Sequence, residues 1–324
     1  MTKKTTVLVL SDPHEPQIRM LGELSAAADR VIGNSAEALE AFAPHAEVLL
    51  NWSGTLSLIR EVFLMCRELR WIHSRSVGLE RTLFPELIAS DVTLTNGRGV
   101  FSASLGEFAL AAILYFAKDL RRMIRSQQSG LWEPFDVTQV SGQTVGIVGY
   151  GDIGRAVAAR ARAVGMHVLA LRRHVPAKSE PDPFVDQLYG QQERTEMIRR
   201  SDYLIVAAPL NDETRGLIGA AEFSVMKETA VVINLGRGPV IEEGAMIKAL
   251  TEQRIKGAAL DVFDEEPLPP GHPFYKMENV LLSPHCADHT SDWLDNAMRF
   301  FLEQFRRFLR GEPLLHVVNK KLGY

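Results

Sequence analysis

Three glycines at fixed offsets, set between an apolar strand and a helix, constrain the fold of this chain more than any other feature. The segment is Gly149-Tyr150-Gly151-Asp152-Ile153-Gly154. Before it, Thr144-Val145-Gly146-Ile147-Val148 is short, apolar and β-branched, the pattern of a strand buried inside a parallel sheet. After it, Arg155 to Val164 is alanine-rich and free of Gly and Pro, the pattern of a helix. Strand, glycine turn and helix together make the dinucleotide-binding fingerprint. Gly149 permits the tight turn, Gly151 lets the backbone approach a pyrophosphate, and Gly154 lets the helix pack close on the strand. Asp152 and Ile153 complete the turn at a helix N-terminus, whose free N–H groups and positive dipole end suit phosphates. The fingerprint sits mid-chain, so a large segment before it needs its own explanation.

Composition sets the bounds. At 324 residues, 46% hydrophobic and 23% charged, the chain is long enough for two domains with separate cores. A formal net charge of -4 gives no footprint for nucleic acid or an anionic membrane, so neither is an expected partner. No stretch has the ~18 continuous apolar residues of a membrane span, and Met1-Thr2-Lys3-Lys4 leads directly into Val7-Leu8-Val9-Leu10. Neither a signal peptide nor a transmembrane helix is expected, which points to the cytoplasm. Cys66 and Cys286 form no disulfide framework and no metal-ligand spacing, and read as two reduced thiols.

Strand-like and helix-like runs alternate along the chain. The first set has strands at Val7-Leu10, Glu47-Leu50, Leu69-His73 and Val92-Thr95, with helices at Gln17-Ala28, Ala36-Ala41, Leu56-Cys66 and Arg81-Ala89. That order predicts an open parallel α/β sheet. A helix from Ser104 to Lys118 is apolar almost all round and reads as buried between domains. The second set has strands at Val145-Val148, His167-Leu171, Tyr203-Ala207, Ala230-Asn234, Gly257-Leu260 and Val280-Leu282, which match a doubly wound sheet. A last helix, Asp292 to Leu309, carries Phe300, Phe301, Phe305 and Phe308 and is expected to return to the first domain. Val175 to Pro183 and Pro267 to Pro270 read as loops.

The acidic residue expected about 20 positions past the glycines is missing. A carboxylate there would accept hydrogen bonds from the ribose hydroxyls of NAD. The strand His167-Leu171 instead ends in Arg172-Arg173-His174. A carboxylate repels a 2′-phosphate, whereas a guanidinium holds one bidentately, so NADP is favoured over NAD. Read blandly, the same arginines are a solvated strand end.

Three downstream segments follow apolar strands, at whose carboxyl ends ligands bind in doubly wound sheets. They are Asn234-Leu235-Gly236-Arg237-Gly238, Leu260-Asp261-Val262-Phe263-Asp264-Glu265-Glu266-Pro267 and Ser283-Pro284-His285. In this order after a mid-chain glycine fingerprint, they resemble the D-isomer-specific 2-hydroxyacid dehydrogenases, over about Leu69 to Asn319. The chain is closest in pattern to the glyoxylate and hydroxypyruvate reductase branch. The resemblance implies an α/β protein of two domains. One is a doubly wound (Rossmann) NAD(P)-binding domain over residues 101–287. The other is a smaller flavodoxin-like α/β substrate domain assembled from 1–100 and 288–324. It further implies an active site in the interdomain cleft and a homodimer formed through the long helix near Ser104.

The same resemblance assigns roles. His285 would be the acid in reduction and the base in oxidation, since imidazole titrates nearest neutral pH. Glu266 would pair with it, and Arg237 would bind the substrate carboxylate through a planar contact that Lys cannot make. Arg75-Ser76-Val77-Gly78 resembles the substrate loop, with the N–H groups of Val77 and Gly78 on the carboxylate. Ala208-Pro209-Leu210-Asn211-Asp212-Glu213-Thr214 resembles the loop beside the cofactor, with Pro209 and Thr214 in contact, and Asp261 resembles the residue that bonds the nicotinamide carboxamide. Gly130-Leu131-Trp132 resembles a segment that sends a Trp into the partner subunit's pocket, though plain interface packing explains Trp132 equally. Trp293 fits the buried face of the last helix better than a pocket.

The implied reaction is NAD(P)H-dependent reduction of a small 2-oxo acid to the D-2-hydroxy acid, with glyoxylate or hydroxypyruvate first. Two rivals stay open: a nucleotide-sensing corepressor-like binding protein on the same fold, and phosphite or formate oxidation. The Glu266 and His285 pair argues against formate, where similar enzymes have Gln. Cys286-Ala287-Asp288 departs from the family's more usual small apolar pair and Gly. With a short stretch after His285, the extra regulatory domain of some phosphoglycerate dehydrogenases is not expected.

Overall fold

The computed structural model describes residues 4–173 and 182–324; the expected loop from Val175 and the residue His174 lie mostly outside that range. The chain divides into two compact units, 1–100 with 290–324 and 101–289. The second boundary falls two residues later than the sequence places it. The His289 N–H donates to Cys286 O at 3.0 Å and closes a turn back onto the His285 segment, which keeps 288 and 289 with the second unit.

The first unit is a five-stranded parallel sheet of β1 (Thr5–Leu10), β2 (Ala28–Gly33), β3 (Val48–Asn51), β4 (Trp71–Ser74) and β5 (Thr93–Asn96). Their order is β2-β1-β3-β4-β5, the flavodoxin-like winding. Strands β3 and β4 are fully buried, and β1 is buried at every residue but Thr6. Helices α1 (Leu56–Met65) and α2 (Pro85–Ala89) join them, and Thr55 caps α1 by accepting from Leu58 N at 3.2 Å. Three expectations change here. Gln17-Ala28 is only a 3-10 helix over Pro16–Leu24, Ala36-Ala41 is a series of turns, and β2 was not expected at all. With Asp29 and Arg30 inside it, β2 lacks the apolar run of an inner strand, and it lies at the sheet edge, where charge is tolerated.

In the second unit α3 (Ser102–Ala117) comes first, followed by α4 (Leu120–Gln128), a polar helix with no buried residue that the sequence pattern misses. A seven-stranded parallel sheet follows: β6 (Thr144–Val148), β7 (His167–Leu171), β8 (Gln187–Tyr189), β9 (Tyr203–Val206), β10 (Val231–Asn234), β11 (Gly257–Leu260) and β12 (Val280–Leu282). Helices α5 (Asp152–Ala163), α6 (Arg194–Arg200), α7 (Ala220–Val225) and α8 (Glu243–Thr251) connect them. The order β12-β11-β10-β9-β6-β7-β8 reverses between β6 and β9, so the loops after these two strands flank the switch point. The unexpected β8 is a short edge strand with one buried residue. Helix α3 packs on α5 of the same unit, and Gly106 makes this possible, because a Cβ there would stand 3.0 Å from the Ala156 backbone.

The last helix, α9 (Trp293–Arg310), belongs to the first unit, as its aromatic face predicts. The buried Trp71 ring stacks on Phe301 and on Phe308, each at 5.5 Å between centroids. The chain after α9 is stitched to β5 by the Val318 N–H on Leu94 O at 2.8 Å.

Candidate active site

The glycine turn shows three separable jobs. Gly149 has φ +93°, which an L side chain rarely adopts, and a Cβ there would lie 2.5 Å from the backbone nitrogen of Ala208, after β9. At Gly154, inside the first turn of α5, a Cβ would lie 2.7 Å from Gly149 O. At Gly151 a Cβ would meet nothing within 4 Å among the described residues. The fold itself makes no use of that bare position, which is left open at the start of α5, where a pyrophosphate suits the helix N-terminus. Helix α5 begins at Asp152, so Asp152 and Ile153 are its first residues.

At the end of β7 the two arginines are treated differently. Arg172 is exposed, with its Nε donating to Tyr150 O at 3.0 Å and its guanidinium 5.4 Å from the Tyr150 ring centre. Arg173 is paired with Glu213 of the loop after β9, a partner that sequence reasoning did not supply. In that loop Pro209 is exposed and Thr214 is buried. The Thr214 hydroxyl donates to Pro209 O at 2.6 Å and accepts from Asn211 N at 2.8 Å. It closes the loop on itself.

Arg237 rides between two glycines that seat its loop. A Cβ at Gly236 would lie 2.6 Å from Ala208 O, and one at Gly238 would lie 2.0 Å from the Phe263 carbonyl carbon. The Asn234 side chain fixes the turn by accepting from Gly236 N and donating to Arg237 O, both at 3.1 Å. The half-buried Arg237 donates from Nη1 to Gly236 O at 2.7 Å.

Glu266 and His285 meet. The Glu266 Oε2 lies 2.6 Å from His285 Nδ1, while its Oε1 accepts from Phe263 N at 2.9 Å. Both glutamate oxygens are thus occupied, and the ring is held by one nitrogen. Among the described residues nothing bonds the other nitrogen, Nε2. His285 has φ +52°, an uncommon conformation for a residue with a side chain. Asp261 is what braces it. Only 2% exposed, Asp261 accepts at Oδ1 from Ser283 Oγ at 2.6 Å, Cys286 N at 2.9 Å and Ala287 N at 3.0 Å, donors on either side of His285. Burial pushes its carboxyl above the ordinary range, against the pull of those donors and of the nearby imidazole. Ser283 was quoted in the sequence motif without a role; only the fold shows it bonded to Asp261.

In the first unit the segment after β4 leaves the N–H groups of Val77 and Gly78 without an acceptor among the described residues. Val77 O accepts from Asn96 Nδ2 at 2.8 Å. Arg75 lies 5.0 Å from the Trp52 ring centre and 5.7 Å from that of Trp293, and 3.9 Å from Glu15. Trp293 is therefore half-buried in a cation–π stack and not simply core, and burial lowers the Arg75 pKa. Trp132 is 95% exposed.

A parallel sheet wound about a switch point, with a glycine cradle beside it and a His–Glu pair on the same unit, defines a dinucleotide-binding α/β oxidoreductase. The family model for the D-isomer specific 2-hydroxyacid dehydrogenase, NAD binding domain, matches residues 110–287, and the chain belongs to that family. It is 31% identical to D-3-phosphoglycerate dehydrogenase of Methanocaldococcus jannaschii over 96% of this chain, and spans 59% of that relative's length. It is 34% identical to glyoxylate reductase of Korarchaeum cryptofilum over 81% of this chain and 80% of the relative. A D-isomer specific 2-hydroxyacid dehydrogenase from Xanthobacter autotrophicus, solved with NADPH and MES, shares its fold. Its TM-score is 0.84 at 27% identity, over 99% of this chain and 100% of that one. No helix among the described residues is long and apolar enough to cross a membrane, and no cluster among them fits a metal ion.

Proposed function

We propose that this chain reduces a small 2-oxo acid to the D-2-hydroxy acid, with glyoxylate or hydroxypyruvate as first substrates and NADPH as the favoured cofactor. The observation that carries this reading is the 2.6 Å contact between His285 and Glu266, which leaves Nε2 of the ring free to face a reacting oxygen. Gly149, Gly151, Asp152, Ile153 and Gly154 would hold the pyrophosphate, Arg172 and Arg173 the 2′-phosphate, Pro209 and Asp261 the nicotinamide half. Bound there, the nicotinamide supplies the hydride.

The protein's own groups do the rest. His285 donates the Nε2 proton to the substrate carbonyl oxygen in reduction and takes it back in oxidation. Glu266 accepts from Nδ1–H, which fixes the tautomer and stabilises the imidazolium. Arg237 offers a planar cationic contact to the substrate's carboxylate and carbonyl, and the free N–H groups of Val77 and Gly78 suit the same carboxylate. Thr214 shapes the loop beside the cofactor through its bond to Pro209. The Arg172 amino groups that have no partner among the described residues favour NADPH, and the NADPH complex of the Xanthobacter protein supports the same preference. The exposed Trp132 suits burial in a second copy of the chain, as in a homodimer, and a cytoplasmic location accords with the lack of a membrane helix among the described residues.

The test is a panel of 2-oxo acids with NADPH and NADH, followed by the loss of reduced nicotinamide. Turnover of glyoxylate or hydroxypyruvate is expected, with His285→Ala lowering kcat by about 10²–10⁴-fold while cofactor affinity holds. Turnover that survives His285→Ala would remove the acid–base role, and no turnover of any oxo acid would favour a binding protein.

A further inference from the structure

The arginine pair at the end of β7 carries its own counter-ion. Among the described residues Arg172 hydrogen-bonds only through its Nε, to Tyr150 O, which leaves its amino groups to an anion. Arg173 is already matched by the Glu213 carboxylate, across 40 positions of chain. Glu213 is not free to drift away. Its N–H donates to Asn211 Oδ1 at 3.0 Å, the same oxygen accepts from Thr214 N at 3.1 Å, and the Thr214 hydroxyl ties the loop to Pro209 O. The carboxylate is thus presented by a built turn next to the place assigned to the 2′-phosphate.

We propose that Glu213 is a cofactor-selectivity residue, which weakens binding of a 2′-phosphorylated dinucleotide by occupying Arg173 and so keeps the unphosphorylated dinucleotide competitive. This rests on the reading that Arg172 and Arg173 face the 2′-phosphate. A phosphate monoester near neutral pH carries between one and two negative charges. To reach Arg173 it must displace Glu213 or stand beside it, and like charges a few ångströms apart repel even in a well-solvated site. NADH brings no such charge and does not feel the difference. The pair is solvent-exposed, with Glu213 57% and Arg173 30% accessible at the side chain, so it adds little to folding and its loss leaves the fold intact.

The experiment compares kcat/KM and Kd for NADPH and NADH in wild type, Glu213→Gln, Glu213→Asp and Arg172→Ala. Glu213→Gln is expected to raise the NADPH-to-NADH ratio about five- to tenfold, almost entirely through the KM and Kd of NADPH. Glu213→Asp, which keeps the charge, should stay near wild type. Arg172→Ala is expected to lower the ratio at least tenfold. A Glu213→Gln ratio that is unchanged or reduced, with Arg172→Ala still lowering it, overturns the role of Glu213 and leaves the 2′-phosphate reading in place. A ratio that responds to neither variant overturns both.

Discussion

The loops after β4 and after β6 both leave the carboxyl end of a parallel strand, yet they are seated in opposite ways. In the second unit the seating is backbone against backbone. Gly149 lies against Ala208, Gly236 against Ala208 O, and Gly238 against Phe263, at separations that no Cβ would fit. In the first unit the Arg75–Gly78 segment keeps two backbone hydrogen bonds, Arg75 N to Asn51 O and Gly97 N to Ser76 O, and side chains seat the rest of it. Asn96 holds Val77 O, and Arg75 is held among Trp52, Trp293 and Glu15. Backbone seating fixes a loop rigidly and tolerates no added atom. Side-chain seating can be loosened by degrees, so a pocket built that way is open to tuning.

Substitutions that break the contrast should differ in size accordingly. The largest effect is expected from Gly238→Ala, whose Cβ would stand 2.0 Å from the Phe263 carbonyl carbon. Overpacking of that kind costs about 3 kcal/mol or more. Denaturant unfolding should show the loss, and turnover should vanish because Arg237 and the Glu266 segment move apart; a wild-type midpoint would sink the backbone-seating argument.

Gly151→Ala sharpens the same point from the other side. Among the described residues nothing lies within 4 Å of its Cβ position, so stability should change by less than about 1 kcal/mol, the scale of an N-cap change. Cofactor Kd should nevertheless rise about tenfold or more, because the methyl fills the space assigned to the pyrophosphate. Unchanged cofactor affinity would mean that the cradle is misassigned.

A smaller, graded effect is expected from Asn96→Ala in the first unit. Removing the amide leaves the Val77 carbonyl without that donor at a cost of about 1–3 kcal/mol. Substrate KM should rise severalfold, with cofactor Kd and kcat close to wild type. Equal damage to substrate and cofactor binding would separate this loop from substrate recognition.

The smallest effect is a pH dependence. Burial among aromatic rings, with His316 nearby, lowers the His73 pKa from 6.5 to about 3. The folded state therefore binds fewer protons than the unfolded state between those values, and stability falls as pH falls through 6.5 toward 3. Going from about pH 7.5 to 5.5 should remove about 1 kcal/mol from the unfolding free energy. In His73→Gln that increment should disappear; a slope unchanged by the substitution would show that other groups cause it.

The inner strands were legible because an inner parallel strand must be apolar on both faces. His167–Leu171 and Gly257–Leu260 fall where the pattern puts them, and the apolar run Val280–Leu282 marks an edge strand in the same way. Edge strands obey no such rule, so β2, with Asp29 and Arg30, and the short β8 left no signal. Helix α4 buries nothing, so no apolar stripe announced it. Motif order singled out Arg237, Glu266 and His285 and the pairing of the last two, but not the further groups that hold their loops. Asp261 reaches Ser283 across 22 positions and Cys286 across 25, distances over which sequence carries no local signal.

By itself the sequence determined the alternation of strands and helices, the glycine turn, the family, and the residue types available for proton transfer and anion binding. These are local properties, set by side-chain periodicity and by the conformations that glycine alone adopts. Tertiary structure alone decided which groups touch. It placed Thr214 on its own loop, Arg75 between two tryptophans, Asp261 under the His285 backbone and Glu213 on Arg173. Those pairings join residues far apart in the chain, and only the packing of the loops that carry them brings donor and acceptor within reach.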